Sequence, residues 1–333
     1  MSPAAYLDLH KNAPVAMLDR EITDRRAWTR DSVSAADWTV PLPEPAVAEV
    51  LALADVLARQ PLPVLMLSPD QFALPACRAA MGRVKAILDD GIGVALVDRL
   101  PLDRLSAEHA TAVHWMLGQM LATPVAQKWD GTMIYDVTDT GRRATYGVRG
   151  SWMNVELTFH TDNSFAVAPP DYVGLLCLMQ AKEGGISRFA SLYTVHNEML
   201  RRHPRALARL YRPMYFDRQA EHAPDDPKVS WAPCLSYEGG RLRARFSLSL
   251  VRKGYALMQT PIDAETDDAL AALDDVMRDP RLWMEFTIER GQLQYLNNWE
   301  VAHYRSEFKD DDTRKRHLIR LWFRAAGRRF YDG

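Results

Sequence analysis

The feature that most constrains this chain is a change of texture near residue 130. Before it, apolar residues recur at helical spacing. Val47, Val50, Leu51, Leu53, Val56 and Leu57 mark a helix over 45–60, and the same period over 74–90 marks a second, stopped by Gly91 and Gly93. Ser106 is placed to cap a third over 106–121. Only 93–98, a short apolar run between Gly and Pro, reads as a strand in this part. After it, short strand-like runs dominate: 132–137, 154–159, 172–180, 284–288, 292–296 and 317–323. Helical patterns interrupt them at 192–203, 206–211 and 263–278, and 213–259 reads as loop-rich. Arg290-Gly291 predicts a hairpin between 284–288 and 292–296. Helices first and strands later argue for an α+β fold with an antiparallel core. Eight or so strands suit a double-stranded β-helix, a distorted jelly roll with flanking helices.

No repeat or linker divides the 333 residues, so a single domain is expected over 1–333. Within it, 1–42 reads as an N-terminal arm, 43–130 as a helix-rich part with one early strand, and 131–333 as the jelly-roll core with a helical insert. The net charge of −2 and scattered Lys and Arg argue against nucleic acid as a partner. No apolar run is long enough to cross a bilayer, and none near the start resembles a signal peptide. Cys77, Cys177 and Cys234 are few, odd in number and far apart, as free thiols of a reducing compartment would be. A cytoplasmic protein acting on a small molecule, with no membrane partner, is the expectation; a homo-oligomer is left open.

Chemistry enters at Phe159-His160-Thr161-Asp162-Asn163-Ser164. Residues i and i+2 of a strand point to one side, so His160 and Asp162 can hold one metal ion together. With 9 His and 43 acidic residues, about one His-x-Asp/Glu triplet arises by chance. His196-Asn197-Glu198 is such a triplet. It lies in a helical pattern, where i and i+2 diverge by about 200°, so His196 is expected at the surface or at a cap. A hydrogen-bonded His–Asp pair at a strand end is the plain alternative for His160.

A third ligand must come from far along the chain. His10 and His222 sit in loops, His109 and His114 in a helix, His203 at a helix end, and His317 in a strand that can turn it toward the core. His303 follows the expected hairpin, 141 residues after Asp162, with Asn297 and Asn298 able to hold a tight turn. Two imidazoles and one carboxylate would occupy one face of an octahedral Fe(II) and leave the other open. Such an iron needs a cosubstrate to activate O2. If that is 2-oxoglutarate, its far carboxylate needs a cation, and a guanidinium grips a carboxylate with two parallel hydrogen bonds. Arg316 and Arg320 lie 13 and 17 residues after His303 and share parity in the last strand.

Together these residues resemble the taurine dioxygenase-like (TauD/TfdA) family of Fe(II)/2-oxoglutarate-dependent oxygenases. The similarity rests on His160-Thr161-Asp162-Asn163, Gly184-Gly185-Ile186-Ser187, Asn297-Asn298 before His303, and Arg316 with Arg320, and it spans 93–324. The resemblance implies that His160, Asp162 and His303 bind Fe(II), that Ser187 contacts 2-oxoglutarate, and that Arg316 binds its distal carboxylate. Arg320 matches a second family arginine near cosubstrate or substrate. The opening segment with Trp28 and Trp38 looks closer to the clavaminate synthase-like members, and the loop with Lys309-Asp310-Asp311-Asp312 is longer than in the taurine enzymes.

The implied reaction is hydroxylation, or desaturation, of an unactivated C–H bond. A filled carboxylate position at Asp162 speaks against halogenation. Tyr146, Arg149, Asn154 and Glu156 precede the metal strand and are the candidate substrate contacts. Glu156 shares parity with His160 and suits an amine; Arg149 suits a carboxylate. A zinc hydrolase or a non-catalytic jelly-roll binding protein could use the same triad, but neither gives Ser187 or the arginines a role.

Overall fold

Three helices built on the periodic segments cover one face of a seven-stranded sheet. The computed structural model describes residues 5–10, 15–143 and 145–333. The helices are Glu44–Arg59, Pro75–Asp90 and Ala107–Gln119. Ser106 caps the third, its Oγ accepting from the His109 N–H at 3.1 Å. The sheet runs Thr39–Pro41, Val94–Asp98, Leu293–Asn297, Tyr172–Met179 and His317–Arg324, with Thr123–Val125 and Tyr135–Thr138 both on the last. Only the first pair is parallel. Alternate residues choose the face. Val97, Tyr295, Leu176, Ile319, Leu321 and Phe323 pack under the helices.

The opposite face packs on a second, wholly antiparallel sheet of four strands: Trp283–Phe286, Ser187–Ser191, Val301–Arg305 and Leu157–His160. Val94, Val173, Leu296 and Trp322 of the large sheet meet Phe189, Met284 and Val301 of the small one. The outer face of the small sheet, through Ala190 and Ala302, lies under Leu192–Arg202, Pro204–Leu210 and Ala264–Met277. The result is a helix–sheet–sheet–helix stack. The opening arm is tied down, with Trp28 donating to the Ile92 carbonyl at 2.8 Å and Trp38 stacked on Phe286. The three cysteines are buried free thiols. No helix among the described residues is long and apolar enough to cross a membrane.

Three expectations need correction. The predicted hairpin does not exist. The Gly291 turn is there, at φ 87°, but Trp283–Phe286 belongs to the small sheet and Leu293–Asn297 to the large one. Gly291 turns the chain from one sheet to the other; a Cβ there would lie 2.5 Å from the Leu100 carbonyl. The stretch 213–259 is not loop-rich. It holds Pro213–Asp217 against Val229–Pro233, a hairpin of Leu235–Glu238 and Arg241–Ala244, and the helix Leu248–Leu257. Its Gly239-Gly240 pair, at φ 58° and 80°, is the turn of that hairpin. Finally, His196 is buried in the core beneath the small sheet, with only 1% exposure, because its helix is covered on most sides.

Candidate metal centre

The ladder between Leu157–His160 and Val301–Arg305 sets His303 directly opposite His160. The two rings lie 4.3 Å apart between centroids. Asp162 follows two residues past His160, and its Oδ1 lies 3.6 Å from Nε2 of each histidine. One ligand atom from each residue can be chosen so that all three lie within 4.8 Å of one another. This spacing and donor set suit a facially bound Fe(II). The His160 Nδ1 lies 2.8 Å from the Thr158 carbonyl, which can only accept. That hydrogen bond fixes the tautomer and leaves the Nε2 lone pair for a metal.

The loop carrying Asp162 is held from two directions. Asn298 Oδ1 accepts from the Asp162 N–H at 2.8 Å, and its Nδ2 donates to the Asp162 and Pro170 carbonyls at 2.9 and 3.0 Å. Thr161 pairs with Phe246 through backbone and hydroxyl. The Asp162 side chain is fixed as well. Its Oδ2 accepts from Trp322 Nε1 at 2.8 Å and from Arg320 Nη1 at 3.1 Å. Gln127 in turn accepts from Arg320 Nε at 2.8 Å. Burial would raise the Asp162 pKa, but Arg320 and the two histidines outweigh it and hold the carboxyl well below its usual range. Burial and the charge of His160 lower the pKa of His303, which favours the neutral, ligating form.

The two closing-strand arginines occupy different places. They share the face toward the small sheet but are separated by about 13 Å of extended chain. Arg320 is engaged with Asp162 and lies between the rings of Tyr135 and Trp322. Arg316 is 4% exposed, its Nη1 has no hydrogen-bond partner among the described residues, and burial lowers its pKa to about 10. Its guanidinium lies 5.2 Å from the Phe308 ring. Gly185, at φ 70°, passes so near that a Cβ would come within 3.2 Å of Arg316 Nε. Ser187 is buried two residues on, paired across the ladder with Arg305. His317 does not face the core; its Nε2 lies 2.7 Å from Asp136 Oδ1 in a half-exposed pair.

A pocket of about 860 Å³ opens on His160, Asp162, Arg320 and Trp322. Tyr146, Arg149 and Glu156 are on its wall; Asn154 is exposed and off it. Arg149 is buried and already bound, donating to Glu221 and to the Gln127 carbonyl. The Glu156 carboxylate accepts from the Tyr304 hydroxyl. Sequence reasoning missed Trp322 and Gln127. Trp322 was within reach, being i+2 from Arg320 on the same face of the strand. Gln127 carried no signal, since only the fold brings it to that arginine.

Residues 59–322 match the family described as taurine catabolism dioxygenase TauD, TfdA family. The chain is 29% identical over 327 residues to FR-33289 synthase of Streptomyces rubellomurinus, covering 95% of this chain and 94% of that protein. It is 26% identical over 332 residues to taurine hydroxylase-like protein SAT17 of Stachybotrys chartarum, covering 95% and 82%. Among solved structures it resembles an asparagine oxygenase in complex with Fe(II), 2S,3S-3-hydroxyasparagine and succinate. The TM-score is 0.67 and the identity 23%, over 86% of this chain and 94% of that one. It also resembles the non-heme iron oxygenase OrfP in complex with Fe and alpha-ketoglutaric acid, with a TM-score of 0.65 and 16% identity over the same shares. Nothing in these likenesses supports a zinc hydrolase or a non-catalytic binding protein. The chain belongs to the TauD/TfdA family of Fe(II)- and 2-oxoglutarate-dependent oxygenases.

Proposed function

We propose that His160, Asp162 and His303 bind the Fe(II), that Ser187 and Arg316 bind 2-oxoglutarate, and that the enzyme hydroxylates a small, polar, amino-acid-like or carboxylate substrate in the 860 Å³ pocket. The carrying observation is the pairing of His303 with His160 on adjacent strands, with Asp162 Oδ1 equidistant from both. The chain acts as one domain, since strands from its first hundred residues and its last forty share one sheet.

Bound iron and 2-oxoglutarate supply the oxidising power: O2 is reduced, 2-oxoglutarate becomes succinate and CO2, and a substrate C–H becomes C–OH. The protein's own part is placement. The two imidazoles and one carboxylate oxygen would hold the metal. Arg320 and Trp322 hold the other carboxylate oxygen, so that Oδ1 alone would serve as the ligand atom. The buried Arg316, whose Nη1 has no hydrogen-bond partner among the described residues, would receive a carboxylate. The Arg320 Nη2 is also buried without a partner among the described residues and is available to a substrate oxygen.

The pocket wall carries both signs of charge, with Glu156 and Asp217 against Lys253. A zwitterion or amino-acid-like molecule suits such a wall, and two similar structures hold hydroxylated amino acids, hydroxyasparagine and hydroxy-arginine. Glu156 and Tyr146 are the proposed substrate contacts. Arg149 shapes the wall through Glu221 and would contact a carboxylate only by sharing that partner. Asn154 has no place in this reading.

The test is anaerobic addition of Fe(II) and then 2-oxoglutarate. A weak visible charge-transfer band supports the reading, and its absence overturns it. Succinate formation with amino acids, acylated amino acids, carboxylates and sulfonates, against Asp162→Ala as the blank, then identifies the substrate class.

A further inference from the structure

Arg316 is not the only buried guanidinium that lacks an ion-paired carboxylate among the described residues; Asp310 and Asp139 act on Arg316 and Arg305 only from beyond ion-pair distance. Arg305 lies two residues past His303 on the same strand, so both side chains face the large sheet. It is 6% exposed, and its Nε and Nη1 have no hydrogen-bond partner among the described residues. Its remaining nitrogen, Nη2, donates to the Met153 and Val155 carbonyls, two residues of the pocket wall. Its guanidinium carbon lies 4.8 Å from the centroid of the Phe308 ring, the ring that Arg316 also approaches, at 5.2 Å. Ser187 is its partner across the ladder. Two buried like charges sharing one aromatic ring, beside one buried hydroxyl, are unfavourable in a protein interior unless an anion joins them. Among the described residues no carboxylate forms an ion pair with either guanidinium.

We infer that Arg305 supplies a second guanidinium to the distal carboxylate of 2-oxoglutarate, opposite Arg316, and through Nη2 links that site to the pocket wall. This rests on the proposed cosubstrate site and adds a residue to it. The carboxylate would offset one of the two positive charges and give acceptors to the Arg305 and Arg316 nitrogens that now lack them. Because Arg305 also holds 153–155, filling the cosubstrate site would steady the wall that the substrate meets.

The experiment titrates the anaerobic Fe(II) protein with 2-oxoglutarate and with 2-oxopentanoate, reading the charge-transfer band. The second acid has the same keto-acid head and a methyl group in place of the distal carboxylate. In Arg305→Met, the affinity for 2-oxoglutarate should fall about 10- to 100-fold while that for 2-oxopentanoate changes little. Arg305→Lys, which restores a charge but not the fork, should recover part of the loss and serves alone if the Met variant does not fold. The inference is overturned if Arg305→Met binds 2-oxoglutarate within threefold of the parent. It is equally overturned if either variant weakens both acids alike, the result of a merely structural arginine. No band in the parent protein with either acid would instead overturn the proposed cosubstrate site itself, and this inference with it.

Discussion

Arg320 Nη1 lies 3.1 Å from Oδ2 of Asp162, while the two histidine Nε2 atoms both lie 3.6 Å from Oδ1. The carboxylate is thus divided, one oxygen turned to the proposed metal position and the other anchored to the protein. Groups that orient a ligand in this way typically contribute about 10- to 100-fold to metal affinity. Arg320→Met should therefore weaken Mn(II) binding by about that factor, followed by the loss of its free-ion electron paramagnetic resonance signal. Trp322 still donates to Oδ2 in that variant and should prevent complete loss.

Removing the other partner has a different signature. Asp162→Ala strands the buried Arg320, whose guanidinium then keeps, among the described residues, its one hydrogen bond to Gln127 Oε1 and its contacts with Tyr135 and Trp322. A buried charge deprived of its counter-ion costs about 3–5 kcal/mol. Those remaining contacts should keep Asp162→Ala near the lower bound. Urea unfolding of the metal-free proteins should show this loss, with Asp162→Asn intermediate because its amide oxygen still accepts from Arg320. Both variants should fail to develop the charge-transfer band.

Much of this site was legible because it depends on short-range geometry. His160 and Asp162 are i and i+2 at a strand end, and that relation survives any global arrangement. Asn298 was visible as a turn-former, although its main work is to clamp the backbone of Asp162, 136 residues away. The false hairpin shows the limit. Two strand-like runs around a Gly turn read the same whether they pair or pass into facing sheets, and only the burial of both sides of Leu293–Asn297 decides it. The helix Leu248–Leu257 was obscured by Gly254. That glycine is there for close packing, since a Cβ would lie 2.6 Å from the Tyr215 carbonyl. Arg305 was on the page as i+2 from His303, but nothing in the sequence says that its charge is buried.

Two histidines outside the site make stability depend on pH. Burial lowers the pKa of His114 to about 3 and of His196 to about 4, from an ordinary 6.5. Below pH 6.5 the unfolded chain takes up protons that the native protein refuses. Stability is therefore complete above pH 6.5 and falls as pH drops toward 4, by about 1.4 kcal/mol per unit for each histidine. His303 adds the same sign in the metal-free form. The thermal midpoint should fall between pH 7.5 and 5.0. His196→Gln, which cannot titrate, should show a shallower fall, and an unchanged slope would contradict this account.

Asn298 offers the sharpest test of how the fold builds the proposed metal centre. It is 1% exposed and touches no metal ligand through its own side chain except by the backbone of Asp162. Asn298→Ala leaves the Asp162 N–H and the carbonyls of Asp162 and Pro170 without their partner in a buried place. Each stranded group costs about 1–3 kcal/mol, less whatever an entering water recovers. Asn298→Asp keeps an acceptor for the Asp162 N–H but sets a carboxylate against two carbonyl oxygens, so it should be no better than alanine despite its near-identical shape. Asn298→Gln has the correct amide on a longer stem and should recover little, because the clamp needs both amide atoms at fixed distance from one backbone. If the clamp positions Asp162, all three variants should lose Mn(II) affinity together with stability. Stability lost with metal affinity intact would show that Asn298 only closes the turn between Leu293–Asn297 and Val301–Arg305.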